Sequence, residues 1–465
     1  MSERVYRDPV HGSISFDWER EKYVIDLIDT PEFQRLRRIR QLGAAMLVFQ
    51  GAEHSRLTHS IGVAHLAKRL FDRIASDVNF PKEGDTEEIR RAVIAGALLH
   101  DIGHGPYSHL FERVFAAKDH EKWGLEIISD GDTEVYQVLK KHGLTDSVKR
   151  IFEKTFRPRF ALDIISSQLD ADRLDYLLRD SYMTGVAYGR YDLDWLIEVI
   201  ELARIPTNGR DLGLTINRRK FHGAEQFVIG RYLMYQQVYF HKTIRSAERL
   251  IKLIFERLVD LFRNGKTPDF FPEPLAGLVD SGGGKLSVKA YLRLDDQFVA
   301  TCFGQWAREK SDEILADLCR RYVERDLFKT VLVDPAKMKD GLRYADAVQT
   351  LREEMQRAGF SAKYYLAADS AEDLPYKDMT WYVAKDIKPE DIWLSENGVA
   401  TEPLSNPTVS PLIDSVRNIQ IVTRRLCFPA EVQDLVKRHL AEYLTDRIET
   451  GTSPKAYQIP VVWPQ

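Results

Sequence analysis

The stretch AVIAGALLHDIGHGPYSH, residues 92–109, constrains this chain more than any other part of it. Asp85 to Glu88 has the D-x-x-E form of a capping box and opens a helix through Ile89, Val93 and Ala97. Gly103, Gly105 and Pro106 stop that helix just after His100. A histidine and an aspartate, His100 and Asp101, thus stand side by side at the end of an otherwise apolar helix. Burying an imidazole and a carboxylate there costs several kcal/mol unless they are paired or coordinate a metal.

Other polar groups are available to join them. Seven of the 12 histidines (His54, His59, His65, His100, His104, His109, His120) fall between residues 54 and 120, far more than even scatter would place there. Such clustering of ligands and proton carriers suits a metal-dependent hydrolytic site. His54 and His65 read as ordinary surface histidines. His59, in RLTHSIGV, and Asp172, in LDADRLDYLLRD, complete a set of two imidazoles and two carboxylates on three helices. Magnesium and manganese accept such a mixed N/O set, and so do iron, nickel and zinc. Asp172 is selected over its neighbours because Leu169, Asp172, Tyr176 and Asp180 share one helix face. Asp170 and Asp175 lie off that stripe and read as solvated groups or ion-pair partners of Arg173 or Arg179.

The chain reads as mainly α. Helical spacing dominates from Asp29 to about Phe262, with one helix through Leu57, Ile61, Ala64 and Leu70. A second runs through Ile165, Leu169, Arg173 and Leu177, and a long one from about Gln226 to Phe262. A small hairpin insertion falls at about residues 206–222, and a Gly/Pro-rich break at 264–284. Helical pattern resumes from Lys289 to about Arg325. Beyond it TVLVDP, SAKYYLAAD, MTWYVAK and NIQIVTRRLCF read as strands, with helices near Gly341–Ala358 and Ala430–Leu444. The expected organisation is a helical core over residues 1–325 and a smaller α+β unit over 326–465.

Lys plus Arg number 66 and Asp plus Glu 70, a net charge of −4 that argues against a protein living on nucleic-acid backbone. Cys302, Cys319 and Cys427 are too few and too scattered for a disulfide framework or a thiolate site. No stretch approaches the roughly 20 apolar residues of a membrane span. The expectation is a cytoplasmic enzyme or binding protein.

With DPVHG near the start, IDTPEFQRLRRIRQLG, HDIGHGPYSH and DADRLDYLLRD, the H…HD…D set resembles the HD-domain phosphohydrolases. More narrowly, it is similar to the deoxynucleoside triphosphate (dNTP) triphosphohydrolases, densely over about residues 4–262 and diffusely beyond. The resemblance implies an HD-domain helical core in which His59, His100, Asp101 and Asp172 ligate a divalent metal. It matches His104, His109 and His120 to catalytic histidines, with Glu112 as an acidic partner. A metal-activated water would attack the α-phosphorus, His109 would protonate the departing 5′-oxygen, and His120 would tune it.

Arg56, Arg173 and Arg231 match residues that neutralise the triphosphate. Gln41 and Asp180 match those that hold the 3′-hydroxyl. Leu42, Tyr176 and Tyr239 match the wall over C2′ that leaves no room for a ribose hydroxyl. Thr58 stands where an acidic residue is common, and Tyr235 where a histidine is expected near sugar and base. A second, activating site for GTP or dGTP between subunits is implied by Val5, Asp29, Gln34, Arg37, His241 and Lys242, beside Val48 and Phe49. Gln237 and Arg7 depart from it. Such a site implies a homo-dimer or homo-tetramer. On the residues alone, Asp29-Thr30-Pro31 also reads as a helix N-cap followed by proline in the first turn. Two other functions stay open: an HD phosphodiesterase or nucleotidase acting on another nucleotide, and a silent nucleotide-binding regulator.

Overall fold

The structure is a computed structural model that describes residues 2–82, 84–115, 118–206, 211–281, 286–338, 341–373, 391–417, 420–446 and 449–451. It divides into two compact units that interleave along the chain. The first comprises Met1–Met234, Gly283–Gln297 and Tyr376–Arg417; the second comprises Tyr235–Gly282, Phe298–Pro375 and Asn418–Gln465. A single boundary near residue 325 therefore does not separate them, because packing groups helices Lys242–Arg263 and Glu313–Val323 with strand Lys329–Val333.

The first unit is built on helices, as the spacing predicts. An N-terminal hairpin pairs β1 (Glu3–Asp8) with β2 (Gly12–Asp17) in the register Asp8↔Gly12 to Glu3↔Asp17. Three helices form its centre: α1 (Arg56–Ala75), α2 (Thr86–Leu99) and α5 (Ala171–Thr184). Two shorter ones lie between them in the chain, α3 (His109–Val114) and α4 (His120–Ser129). Asp85 caps α2 by accepting from Glu87 N and Glu88 N, both at 3.0 Å, and every residue from Ala92 to Leu99 is buried. Helices α1 and α5 pack so closely that a Cβ added at Gly62 would sit 2.0 Å from Asp175 Oδ1. Only glycine permits that approach.

Several sequence expectations shift. The helix expected through Ile165 starts only at Ala171, because Asp170 caps it and accepts from Arg173 N at 2.7 Å and Ser167 N at 2.9 Å. The hairpin insertion is larger than expected. Ile200–Arg204 pairs with Leu212–Asn217, and these strands close into a small barrel with Trp393–Glu396 and Val399–Pro403.

In the second unit, strand Gln420–Phe428 pairs with Lys329–Val333, Ala367–Asp373 and Glu449–Gly451. Its helices include Gly341–Arg357 and Gln433–Leu440. The helix expected over Gln226–Phe262 is broken: His222–Met234 ends in a π-helical turn, Tyr235–Tyr239, and His241 caps a new helix, Lys242–Arg263. Helix Glu273–Ser281 occupies part of the expected break at 264–284. MTWYVAK lies outside the described residues.

Candidate metal centre and active site

His59 projects from α1, fully buried, while His100 and Asp101 follow directly on α2 and Asp172 stands in the first turn of α5. The sequence folds this way because each group ends or interrupts an apolar helix surface facing the same point. His59 Nε2 lies 3.0 Å from Asp172 Oδ1 and 3.8 Å from Asp101 Oδ2. His100 Nε2 lies 3.3 Å from Asp101 Oδ1 and 3.7 Å from Asp172 Oδ1. The ligand atoms of His59, His100 and Asp172 fall within 4.8 Å of one another. Both Nε2 atoms are buried and lack a hydrogen bond of good geometry. Two unsatisfied ring nitrogens converging with two carboxylates are what a divalent cation requires of this donor set.

Electrostatics agree. Burial works to lower the His59 imidazole, but Asp172 and Asp175 beside it hold it up, at about 10. His100 is likewise raised against burial by Asp101 and Asp172. Burial works to raise Asp101, yet Arg56, His100 and His104 hold its carboxyl well below the ordinary range. A proton thus sits where a cation would. The raised His59 is charged at neutral pH and loses its proton only towards pH 10, so metal binding must release it. Mn²⁺ affinity of the metal-stripped protein is expected to rise about tenfold per pH unit between about pH 6 and 9, measured by calorimetric titration. A flat profile would contradict the site.

Beside the cation site lies a second cluster. His104 Nε2 is 3.2 Å from Asp101 Oδ1, and its Nδ1 is 3.4 Å from Glu112 Oε1. His120 Nδ1 is 3.2 Å from the same oxygen, and the His104 and His120 rings stack at 3.9 Å. Burial and the Arg56 charge push His104 down to about 4, so it is neutral at pH 7. His109 begins α3, and its side chain lies outside the described residues. The backbone before it is strained: Tyr107 and Ser108 both have φ of +53°. The surrounding side chains hold it there. Buried Asp296 accepts from Tyr107 N at 2.8 Å, and Ser108 Oγ accepts from Arg56 Nε at 3.0 Å.

These groups open onto a cavity of about 540 Å³ whose walls include Gln41, Arg56, His100, Asp101, Asp172 and Tyr176. Arg56 Nη1 also holds Asp101 Oδ2 at 2.5 Å. Three expected substrate residues also have partners within the protein. Arg173 turns back to Ser167 O and Asp170, Arg231 donates to Gln168 Oε1 at 2.9 Å, and Asp180 meets His54 Nε2 at 2.8 Å. Leu42 precedes the 3₁₀ turn Gly43–Leu47. Tyr235, Tyr239, His241 and Lys242 belong to the second unit.

In the first unit, Asp29 is exposed and paired with Arg4, Nη1 to Oδ2 at 2.5 Å, and exposed Val5 adjoins it on β1. Gln34 accepts from Arg37 Nε at 2.6 Å. Asp29 is not the N-cap expected: it closes helix Lys22–Ile28, and Thr30 occupies the N-cap before Pro31.

A family model for the HD domain matches residues 56–180, the span that carries the ligand set. The chain is 38% identical to the uncharacterized protein YwfO of Bacillus subtilis, over 92% of this chain and 93% of that one. It is 28% identical to the Dictyostelium discoideum homolog of the deoxynucleoside triphosphate triphosphohydrolase SAMHD1, covering 76% of this chain and 71% of that one. A phosphohydrolase of Bacteroides thetaiotaomicron superposes with a TM-score of 0.74 at 26% identity, covering 92% of this chain and 99% of that one.

The chain belongs to the HD-domain phosphohydrolases, in their dNTP-triphosphohydrolase-like branch. This HD phosphohydrolase is accordingly mainly α and a hydrolase, with His and Asp groups arranged to take a metal ion. No helix among the described residues is long and apolar enough to cross a membrane.

Sequence reasoning missed part of the polar surroundings of the site. Asp175 makes the ion pair with Arg179 that is one of its two readings, but it is fully buried rather than solvated, and its carboxylate also lies 2.8 Å from His59 Nδ1. His54 and His65 are not surface histidines. His54 is buried against Asp180, and burial pushes half-buried His65 down to about 4. DPVHG, one of the motifs that carry the resemblance, contains His11, whose Nε2 lies 2.6 Å from Asp175 Oδ1 and for which the sequence implies no role.

Proposed function

We propose that this HD phosphohydrolase is a metal-dependent dNTP triphosphohydrolase, converting dNTP and water to deoxynucleoside and inorganic triphosphate. The observation that carries it is the cation site opening, beside the His104–Glu112–His120 cluster, onto one cavity walled by Arg56 and Gln41. His59, His100, Asp101 and Asp172 would hold the ion, which when bound supplies Lewis-acid polarisation of a phosphoryl oxygen and an activated water. Arg56 orients Asp101 and sets positive charge beside the phosphates, with Arg173 and Arg231 as further cations. The water oxygen bonds to the α-phosphorus, and the bond from phosphorus to the 5′-oxygen breaks. His109 gives the departing oxygen its proton, because an alkoxide is a poor leaving group. Glu112 and His120 set the protonation of that histidine.

Gln41 and Asp180 would receive the 3′-hydroxyl, and Leu42 and Tyr176 would close over C2′. A ribose hydroxyl against that wall displaces a side chain or stays unpaired, a cost of about 2 kcal/mol or more. Turnover of dATP is expected to exceed that of ATP about 30-fold or more in kcat/KM, and Leu42→Gly to narrow the gap. Equal kcat/KM for the two nucleotides would contradict the reading.

Activation by GTP or dGTP at Asp29, Val5, Gln34 and Arg37 belongs to the same proposal. The exposure of the Asp29 carboxylate supports it, since guanine offers an adjacent donor pair to such a group, in competition with Arg4. GTP is expected to raise both the rate of dATP hydrolysis and the mass seen by light scattering, and Asp29→Ala to abolish both responses. Indifference of rate and mass to GTP would contradict it.

A further inference from the structure

At Nδ1, the ring nitrogen other than the one that faces Asp101 and Asp172, the His59 imidazole is held by a chain of buried groups that ends in the turn of the β1–β2 hairpin. Asp175 is the centre of that chain. Its Oδ2 lies 2.8 Å from His59 Nδ1 and accepts from Arg179 Nε at 2.7 Å. Its Oδ1 lies 2.6 Å from His11 Nε2 and accepts from Arg179 Nη2 at 2.8 Å. Arg179 Nη1 in turn donates to Asp8 Oδ2 at 2.7 Å, and Asp8 Oδ1 accepts from the Val10 and His11 amides in the turn.

We propose that Asp175 and His11 are positioning residues of the metal centre: Asp175 keeps the proton of His59 on Nδ1 so that Nε2 faces Asp101 and Asp172, and His11 fixes Asp175. The inference rests on the metal-centre reading above and extends it to residues that touch neither ion nor substrate. Its logic is the hydrogen-bond inventory. An ionised carboxylate only accepts, so the ring nitrogen facing Asp175 must donate, and the other nitrogen is left as the lone-pair donor. Ligating histidines held this way by a carboxylate are oriented and more basic.

A purely structural ion pair would not need this arrangement. Arg179 alone satisfies Asp175 in a bidentate fork. Two imidazoles nevertheless take up further acceptor positions on it, one a ligand-to-be and one arriving from 164 residues away. Gly62 is part of the same device, because any side chain there would fill the space of Asp175 Oδ1. The motif DPVHG thereby gains a role: Asp8 shapes the turn and steadies Arg179, and His11 reaches Asp175.

The test is Mn²⁺ titration calorimetry on the metal-stripped full chain, with the visible absorption of the Co²⁺-loaded protein as a second readout. His11→Ala is expected to weaken Mn²⁺ binding about 10- to 100-fold and to alter the Co²⁺ bands. His11→Gln, whose amide can donate to Asp175 from nearly the same place, is expected to stay within about threefold of wild type. Asp175→Asn should weaken binding at least as much as His11→Ala; if that variant does not fold, the His11 pair decides. Wild-type Kd and Co²⁺ spectrum in His11→Ala, even with a lowered melting temperature, would overturn the inference and leave the network structural. Failure of the metal-centre reading itself looks different: wild type would bind no Mn²⁺, or His59→Ala would bind it as wild type does.

Discussion

Asp101→Asn is expected to lower turnover by about a thousandfold or more while the far-ultraviolet circular dichroism stays helical. Asp101 is the point where every part of the site meets. Its carboxylate takes Arg56 Nη1 at 2.5 Å, lies 3.2 Å from His104 Nε2, and stands between His100 and His59. The carboxamide keeps the shape but loses the charge that offsets these groups, and it turns a hydrogen-bond donor toward one of them. The cation would lose one of two carboxylate ligands, and Arg56 would lose the partner that orients it. Metal content measured on the purified variant should fall together with activity. A variant that turns over like wild type with a full complement of metal would show that Asp101 is not a ligand.

Gly103→Ala is expected to be the most damaging single-methyl change in the HDIGHGPYSH segment. A Cβ at this position would lie 2.0 Å from His120 O and 2.3 Å from Gly124 N, so it meets the backbone of α4 rather than a movable side chain. Either the turn after His100 or the start of α4 must shift. Both options separate His104 from His120, whose rings now stack at 3.9 Å. Overpacking of this kind costs about 1–3 kcal/mol or more, so thermal unfolding should begin several degrees lower. Because the displaced residue is His120, activity measured well below the melting temperature should also fall, by about tenfold or more. Unchanged stability and rate would mean that α4 is free to recede without consequence.

Much of the site is legible in the sequence because its chemistry contradicts its surroundings. His100 and Asp101 at the end of AVIAGALL demand partners, and helical spacing nominates Asp172 among five nearby aspartates. For Asp175 the same logic yields the Arg179 ion pair but neither its burial nor its contact with His59. It lies off the Asp172–Tyr176 stripe, and only the packing of α1 against α5 at Gly62 shows that its own face is buried as well. DPVHG marks His11 without saying what it touches, since a hairpin turn has no periodicity to show where a side chain points. The four-stranded barrel escapes because Trp393–Glu396 joins Leu212–Asn217 across most of the second unit's sequence, and local alternation cannot announce so distant a pairing. The break at Tyr235–Tyr239 carries no glycine or proline, so its helical pattern reads straight through. The start of α5 is displaced by a single capping residue, Asp170, whose side chain draws the preceding turn to itself.

The proposal that water attacks the α-phosphorus, with the deoxynucleoside leaving, is tested most directly by locating the new oxygen. Metal-loaded protein is incubated with dGTP in H₂¹⁸O, and the products are separated and weighed by mass spectrometry. The account predicts unlabelled deoxyguanosine and inorganic triphosphate carrying one ¹⁸O. Pyrophosphate or orthophosphate as the released product, or label in the nucleoside, would contradict it.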